Sequence, residues 1–429
     1  MVGPLDSAVN AAFPAISAAF GLDVIAIRWV VISYLVTFSS CVIVSGRLGD
    51  LFGYRRVFGA GLLLSVAALI ACGLAPDYGW LLGARFAQGV ATALVLGAAP
   101  ALALSIYPEA ERTRVLGRFG AAFAAGLAAG PALGGAMVDA WGWQAVFLAR
   151  APIALAAWLL LVRVPARRAS PARRFEAGGP LLLAAWSGSL LLALSLSGVA
   201  ALAFALLAAA AFAAFVRHEG RSAHPLIRLA LFRNPRFLVP NLAAVAVHFA
   251  GFMIFLLGPY LFVREMGLSA RAAGILLALG PGGAALGSTL AERMARRFGA
   301  RRVAFAGMVL TFAGVAAGAT WHGGSHPVGV GLWLALQGIG VGLFQVAYTD
   351  IVIASLPHEE RGVASSLTNY MRTLGVVGCA ALASALFHAA QAGGGTFVQA
   401  YGFAFGTVAA GASLFLALAL LRPRVWSSG

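Results

Sequence analysis

Apolar residues in this chain run in long blocks that end at charged residues or at glycine and proline. The blocks fall near residues 4–20, 28–46, 57–75, 79–105, 116–138 and 144–163, then 179–196 and 199–216, then 238–262, 271–290, 303–320, 328–355, 363–388 and 402–421. A run of about 20 residues crosses a hydrocarbon core of ~30 Å as a helix, and lipid demands that such a segment satisfy its own backbone polar groups. The pattern predicts an all-α integral membrane protein of fourteen spans. The first run is short. Only MVGPL precedes Asp6, and Pro4 to Ala19 makes about 24 Å of helix, so either the first helix is truncated or the true start lies further upstream.

Composition supports the membrane reading. Hydrophobic residues make up 61% of the chain and charged residues 10%, against roughly 25% charged in a soluble protein. The net charge of +16 raises the question of nucleic acid, and its distribution answers it. All 30 basic residues are arginine, and they collect in alternate loops. With a cytoplasmic N-terminus, 24 arginines fall inside and three outside, namely Arg28, Arg264 and Arg271. The positive-inside rule then puts both termini in the cytoplasm of a cell inner (plasma) membrane. The partner of this charge is the anionic lipid leaflet and not nucleic acid. The lack of lysine excludes a Walker A lysine and a Schiff base. Cys41, Cys72 and Cys379 all lie in apolar runs without CxxC spacing, so they read as buried thiols.

The chain also resembles itself. AQGVATAL (87–94) matches LQGIGVGL (336–343), and PEAER (108–112) matches PHEER (357–361), both at an offset of 249; LFGYRR (51–56) matches RFGARR (297–302) at 246, with Asp50 replaced by Arg296. The organisation expected is a six-helix bundle over 1–165, a linker with two inserted helices and an amphipathic connection over 166–237, and a second six-helix bundle with a short tail over 238–429. This is the parallel-repeat plan of a secondary transporter.

Four motifs in order then resemble the major facilitator superfamily, and within it the fourteen-helix drug:proton antiporters. They are LDSAVNAAFPAI (5–16), GRLGDLFGYRR (46–56), RFAQG (85–89) and GLAAGPALGG (126–135). PLIRLALFRNPRF after the insert, and Asn369 with Arg372, fit the same family. The resemblance implies a gate at Gly46, Arg47, Asp50, Gly53, Arg55 and Arg56, in which the acid caps a helix of the other half and the arginines hold the cytoplasmic face closed. A carboxylate at a helix N-terminus and a bidentate arginine are both strong and breakable contacts. The alternative is a solvated basic loop. The resemblance likewise implies an antiporter motif at Gly126, Gly130, Pro131, Gly134 and Gly135, a pliable and leak-tight interface; an ordinary close-packed helix would look the same.

Charges inside spans need a partner, water or a function. The candidates for proton coupling are Asp6, Arg85 and Asp350, although Arg85 could simply bond exposed carbonyls and Asp350 could snorkel to water. Asn10, Gln88, Arg150, Asn369 and Arg372 are candidates for the substrate cavity. Arg150 stands where the family has asparagine, which favours an anionic substrate, or it is a rim residue paired with Asp139. His322 and His326 in the loop WHGGSHP read as solvated, and Gly338, Gly340 and Gly342 follow no strand, so neither a metal nor a dinucleotide is expected. No cofactor is implied. The function expected is proton-driven export of small amphiphilic or hydrophobic compounds by a monomer. A narrow-range metabolite or self-resistance exporter, or a non-transporting membrane sensor, are the alternatives; no nucleophile, base and oxyanion set suggests an enzyme.

Overall fold

The computed structural model describes residues 4–24, 26–106, 111–164, 178–196, 198–222, 229–355, 361–421 and 423–426. Among these residues every regular element is helical. A 3-10 turn, Pro4–Ser7, leads into α1 (Ala8–Ala19), followed by α2 (Arg28–Phe52), α3 (Tyr54–Gly73), α4 (Tyr78–Ile106), α5 (Arg112–Trp141), α6 (Ala145–Leu148) and α7 (Ala151–Val162). Next come α8 (Gly178–Ser195) and α9 (Gly198–Glu219). The chain ends with α10 (Pro235–Tyr260), α11 (Ala270–Phe298), α12 (Ala300–Gly318), α13 (Pro327–Ser355), α14 (Arg361–Ala392), α15 (Phe397–Leu420) and a last turn, α16 (Pro423–Trp426). Pro152 has no N–H for the Leu148 carbonyl, so α6 and α7 are one interrupted span. The fourteen helices expected from the apolar blocks are present. Among the described residues eleven spans are long and apolar enough to cross a membrane, and α2 and α8 add shorter apolar runs.

The helices extend further into the loops than the apolar blocks do. In GRLGDLFGYRR there is no loop: α2 runs to Phe52, α3 starts at Tyr54, and Gly53 alone makes the turn at φ +91°. Gly299 makes the same turn between α11 and α12 at φ +86°. A side chain at either position would be strained, so the sequence repeat at offset 246 is a backbone requirement. The offset of 249 is structural too. A Cβ on Gly89 of α4 would strike Thr37 Oγ1 in α2, and one on Gly338 of α13 would strike the Gly280 carbonyl in α11. Small residues let both helix pairs approach closely.

Among the described residues the two sets of six helices meet through contacts toward the arginine-poor ends. Ser17 of α1 and Tyr260 of α10 share a hydrogen bond of 2.5 Å. Ile32 of α2 packs with Val377 and Ala380 of α14. Between α5 and α11 the main chains approach so closely that a Cβ on Gly274 would strike the Pro131 carbonyl oxygen. The inserted pair lies beside the α2–α14 contact. Ser40 of α2 donates to the Ala184 carbonyl of α8 (3.4 Å), and the Trp186 ring of α8 sits 5.8 Å from Tyr370 of α14.

Candidate functional site: a buried charge cluster in the first half

Asp6 lies on the 3-10 turn before α1, Arg85 and Gln88 lie one turn apart on α4, and Arg150 lies in the break between α6 and α7. Three separate segments bring these side chains to one point. Arg85 grips the carboxylate with both terminal nitrogens, Nη1 to Oδ1 at 2.8 Å and Nη2 to Oδ2 at 3.1 Å. Arg150 Nη2 donates to the same Oδ1 at 2.9 Å, and so does Gln88 Nε2 at 2.9 Å. Arg85 also donates through Nη1 to Gln88 Oε1 at 2.8 Å and through Nε to the Val30 carbonyl at 3.0 Å. Its guanidinium carbon stands 4.4 Å over the Tyr34 ring, a cation–π contact. The arginines are 2% and 3% exposed and Asp6 14%.

Two guanidiniums therefore face one carboxylate, and the cluster carries one excess positive charge. Arg150 bears the imbalance. Its Nε and Nη1 are buried and make no hydrogen bond, so Asp6 is its one side-chain partner among the described residues. The pairing of Arg150 with Asp139 does not occur. Asp139 instead accepts from the backbone N–H groups of Ala270 (3.1 Å) and Arg271 (2.9 Å) at the start of α11, because a carboxylate is stabilised by a helix N-terminus. This contact between halves went unread in the sequence.

The glycines of GLAAGPALGG serve two neighbours. A Cβ on Gly130 would strike Ser7 Oγ, and one on Gly134 would lie 2.5 Å from the Ala8 carbonyl oxygen, so both make room for the turn that carries Asp6. Gly135 faces the other way, against the Ala270 carbonyl of α11, while Gly274 of α11 meets the Pro131 carbonyl. Gly126 and Pro131 are buried in α5.

The sequence profile of the Major Facilitator Superfamily matches residues 2–377 and, in a second match, residues 240–429. The chain belongs to this superfamily. It is 32% identical over 388 residues to the multidrug resistance protein Stp of Mycobacterium tuberculosis, covering 88% of this chain and 72% of that protein. It is 29% identical to the tetracenomycin C resistance and export protein of Streptomyces glaucescens, over 89% of this chain and 73% of that one. Among solved structures the nucleoside transporter NupG superposes with a TM-score of 0.70 at 13% identity, over 97% and 96% of the two chains. The protein is thus a facilitator-superfamily transporter and not an enzyme.

In this facilitator the other sequence candidates are dispersed. The positions 249 residues beyond Arg85 and Gln88 are Leu334 and Gln337, so the arginine is not repeated in the second half. Gln337 is buried and donates to the Ala250 carbonyl (3.4 Å). Asp350 is exposed near the arginine-rich end of α13, away from the cluster, and Asn10 is partly buried one turn into α1. Arg372 lies on α14; the Asn369 side chain falls outside the described residues. Of the gate motif, the side chains at Gly46, Arg47 and Asp50 also fall outside the described residues, and Arg56 is exposed. Among the described residues the hydrogen bonds of Arg55 stay within the first half. It donates to the Leu161 (3.3 Å) and Val162 (3.0 Å) carbonyls at the end of α7, within its own half, where the negative end of a helix favours a cation. His322 and His326 each accept a backbone N–H two residues on through Nδ1, from Gly324 of the loop and Val328 at the start of α13.

Proposed function

We propose that the protein is a proton-coupled exporter of small amphiphilic or hydrophobic compounds, working by alternating access, with Asp6 carrying the coupling proton. The observation that carries this reading is one carboxylate held by two guanidiniums and an amide inside the first half. A proton on Asp6 removes the negative charge that both arginines face. Arg85 then keeps the Val30 carbonyl, Gln88 Oε1 and the Tyr34 ring, whereas Arg150 loses its one charged partner and is left with a weaker hydrogen bond to a neutral carboxyl. Uncoupling a buried ion pair costs about 3 to 5 kcal/mol, enough to exchange conformers that differ by a few kcal/mol.

The orientation that supports export has the arginine-rich face in the cytoplasm. The contacts between halves gather on the opposite face, so the substrate would load from the cytoplasm and leave when the α5–α11 seal opens. The excess guanidinium charge disfavours lipophilic cations at the cluster and admits neutral or acidic compounds. Similarity to proteins of drug and antibiotic resistance supports the substrate class.

The test uses sealed vesicles with an imposed pH gradient and a panel of aromatic antibiotics that includes tetracenomycin C. Wild type should accumulate at least one compound uphill. Asp6→Asn should insert and bind that compound but only equilibrate it. Uphill accumulation by Asp6→Asn would move the coupling proton elsewhere, with Asp350 next to be tested.

A further inference from the structure

The proline of GLAAGPALGG and the acid of the first span meet through one hydroxyl. Pro131 has no N–H, so the carbonyl of Leu127, four residues earlier in α5, loses its helical donor. Ser7 Oγ takes that donor's place at 3.1 Å, across 120 residues of chain. Gly130 is what lets the hydroxyl reach, since a Cβ there would occupy the position of Ser7 Oγ. The motif thus supplies an acceptor through its proline and room through its glycines. Both are used by the residue that follows Asp6.

The same helix, about one to three turns further on, forms the seal with the other half. Pro131 and Gly135 pack against Gly274 and Ala270 of α11, and Asp139 accepts from the first two N–H groups of that helix. A contiguous set of contacts therefore runs from the carboxylate to the seal, and the Ser7 hydroxyl supplies its hydrogen bond to α5. We propose that Ser7 is a positioning residue that ties Asp6 to α5, so that proton loading of Asp6 is transmitted to the α5–α11 seal. The inference rests on the proton-carrying reading of Asp6. When the carboxylate releases its arginines, the turn Pro4–Ser7 is free to shift, and the tie carries that shift to the Leu127 carbonyl and along a 30-residue helix.

The experiment needs no substrate. Spin labels go on Trp141→Cys at the end of α5 and Val328→Cys at the start of α13, which are 76% and 72% exposed, in the full chain with Cys41, Cys72 and Cys379 replaced by alanine. The distance distribution between them is measured from acidic to alkaline pH. Wild type should shift its wide and narrow populations with pH, and Ser7→Thr should retain the shift. Ser7→Ala should reduce it about fivefold or more. Pro131→Ala returns an N–H to Leu127 and should cause a similar loss. The double variant should be no worse than the worse single, because both delete one tie.

A full shift in Ser7→Ala, or a double variant whose loss is the product of the single losses, would overturn the proposal. Should Ser7→Ala fail to insert, Pro131→Ala decides alone, and a full shift there overturns it. Asp6→Asn in the same assay separates the two readings. If it keeps the pH response, proton carriage by Asp6 fails; if it loses the response while Ser7→Ala keeps it, only the role of Ser7 fails.

Discussion

At the scale of single residues, the cluster depends on the shape of arginine as much as on its charge. Arg85 uses three nitrogens on four acceptor atoms, in Asp6, Gln88 and the Val30 carbonyl. Lysine offers one compact ammonium and cannot make that fork. Arg85→Lys should therefore insert normally yet lose about tenfold or more of the uphill transport rate in vesicles; transport within twofold of wild type would reduce Arg85 to a charge balance. The sequence named all four members of the cluster, because a charged or amide side chain inside an apolar run stands out. Their mutual pairing was not legible. Asp6 and Arg150 are 144 residues apart, and periodicity carries no information about which spans adjoin. Ser7 was missed for a different reason. A serine near the start of a helix is ordinary, and its partner follows only from the carbonyl that Pro131 frees in another helix.

At the scale of elements, helix positions were legible because lipid imposes a length and a composition on each span, whereas the ends were not, because α2 and α3 continue through polar residues up to Gly53. The glycine stripe of α5 was legible as close packing, but not its division between α1 on one side and α11 on the other. That division makes a contrast that can be measured. A Cβ on Gly135 would meet the Ala270 carbonyl of α11, while one on Gly282, also in α11, has nothing within 4 Å. Gly135→Ala should hold the Trp141→Cys to Val328→Cys distance in its wide population at every pH, and Gly282→Ala should leave the wild-type distribution. A narrow distribution in Gly135→Ala would show that the α5–α11 contact closes around the added methyl.

At the scale of the whole molecule, two similar halves carry dissimilar chemistry. The repeat preserves turns and close contacts, as Gly53 with Gly299 and Gly89 with Gly338 show, but Leu334 occupies the place of Arg85. The second half therefore presents a partner surface to a charge cluster that belongs to the first. With the arginine-rich face in the cytoplasm, cysteines placed at Ser170 and at Gly394 should react with an impermeant maleimide from opposite sides of the membrane; reaction of both from outside would contradict the fourteen-span orientation. The proposed coupling requires one carboxylate to exchange its proton as substrate arrives. Purified protein in weakly buffered detergent solution, mixed with a compound that it transports, should release protons in proportion to binding, and Asp6→Asn should bind the compound and release none. Equal proton release from the two proteins would contradict the assignment of the coupling proton to Asp6.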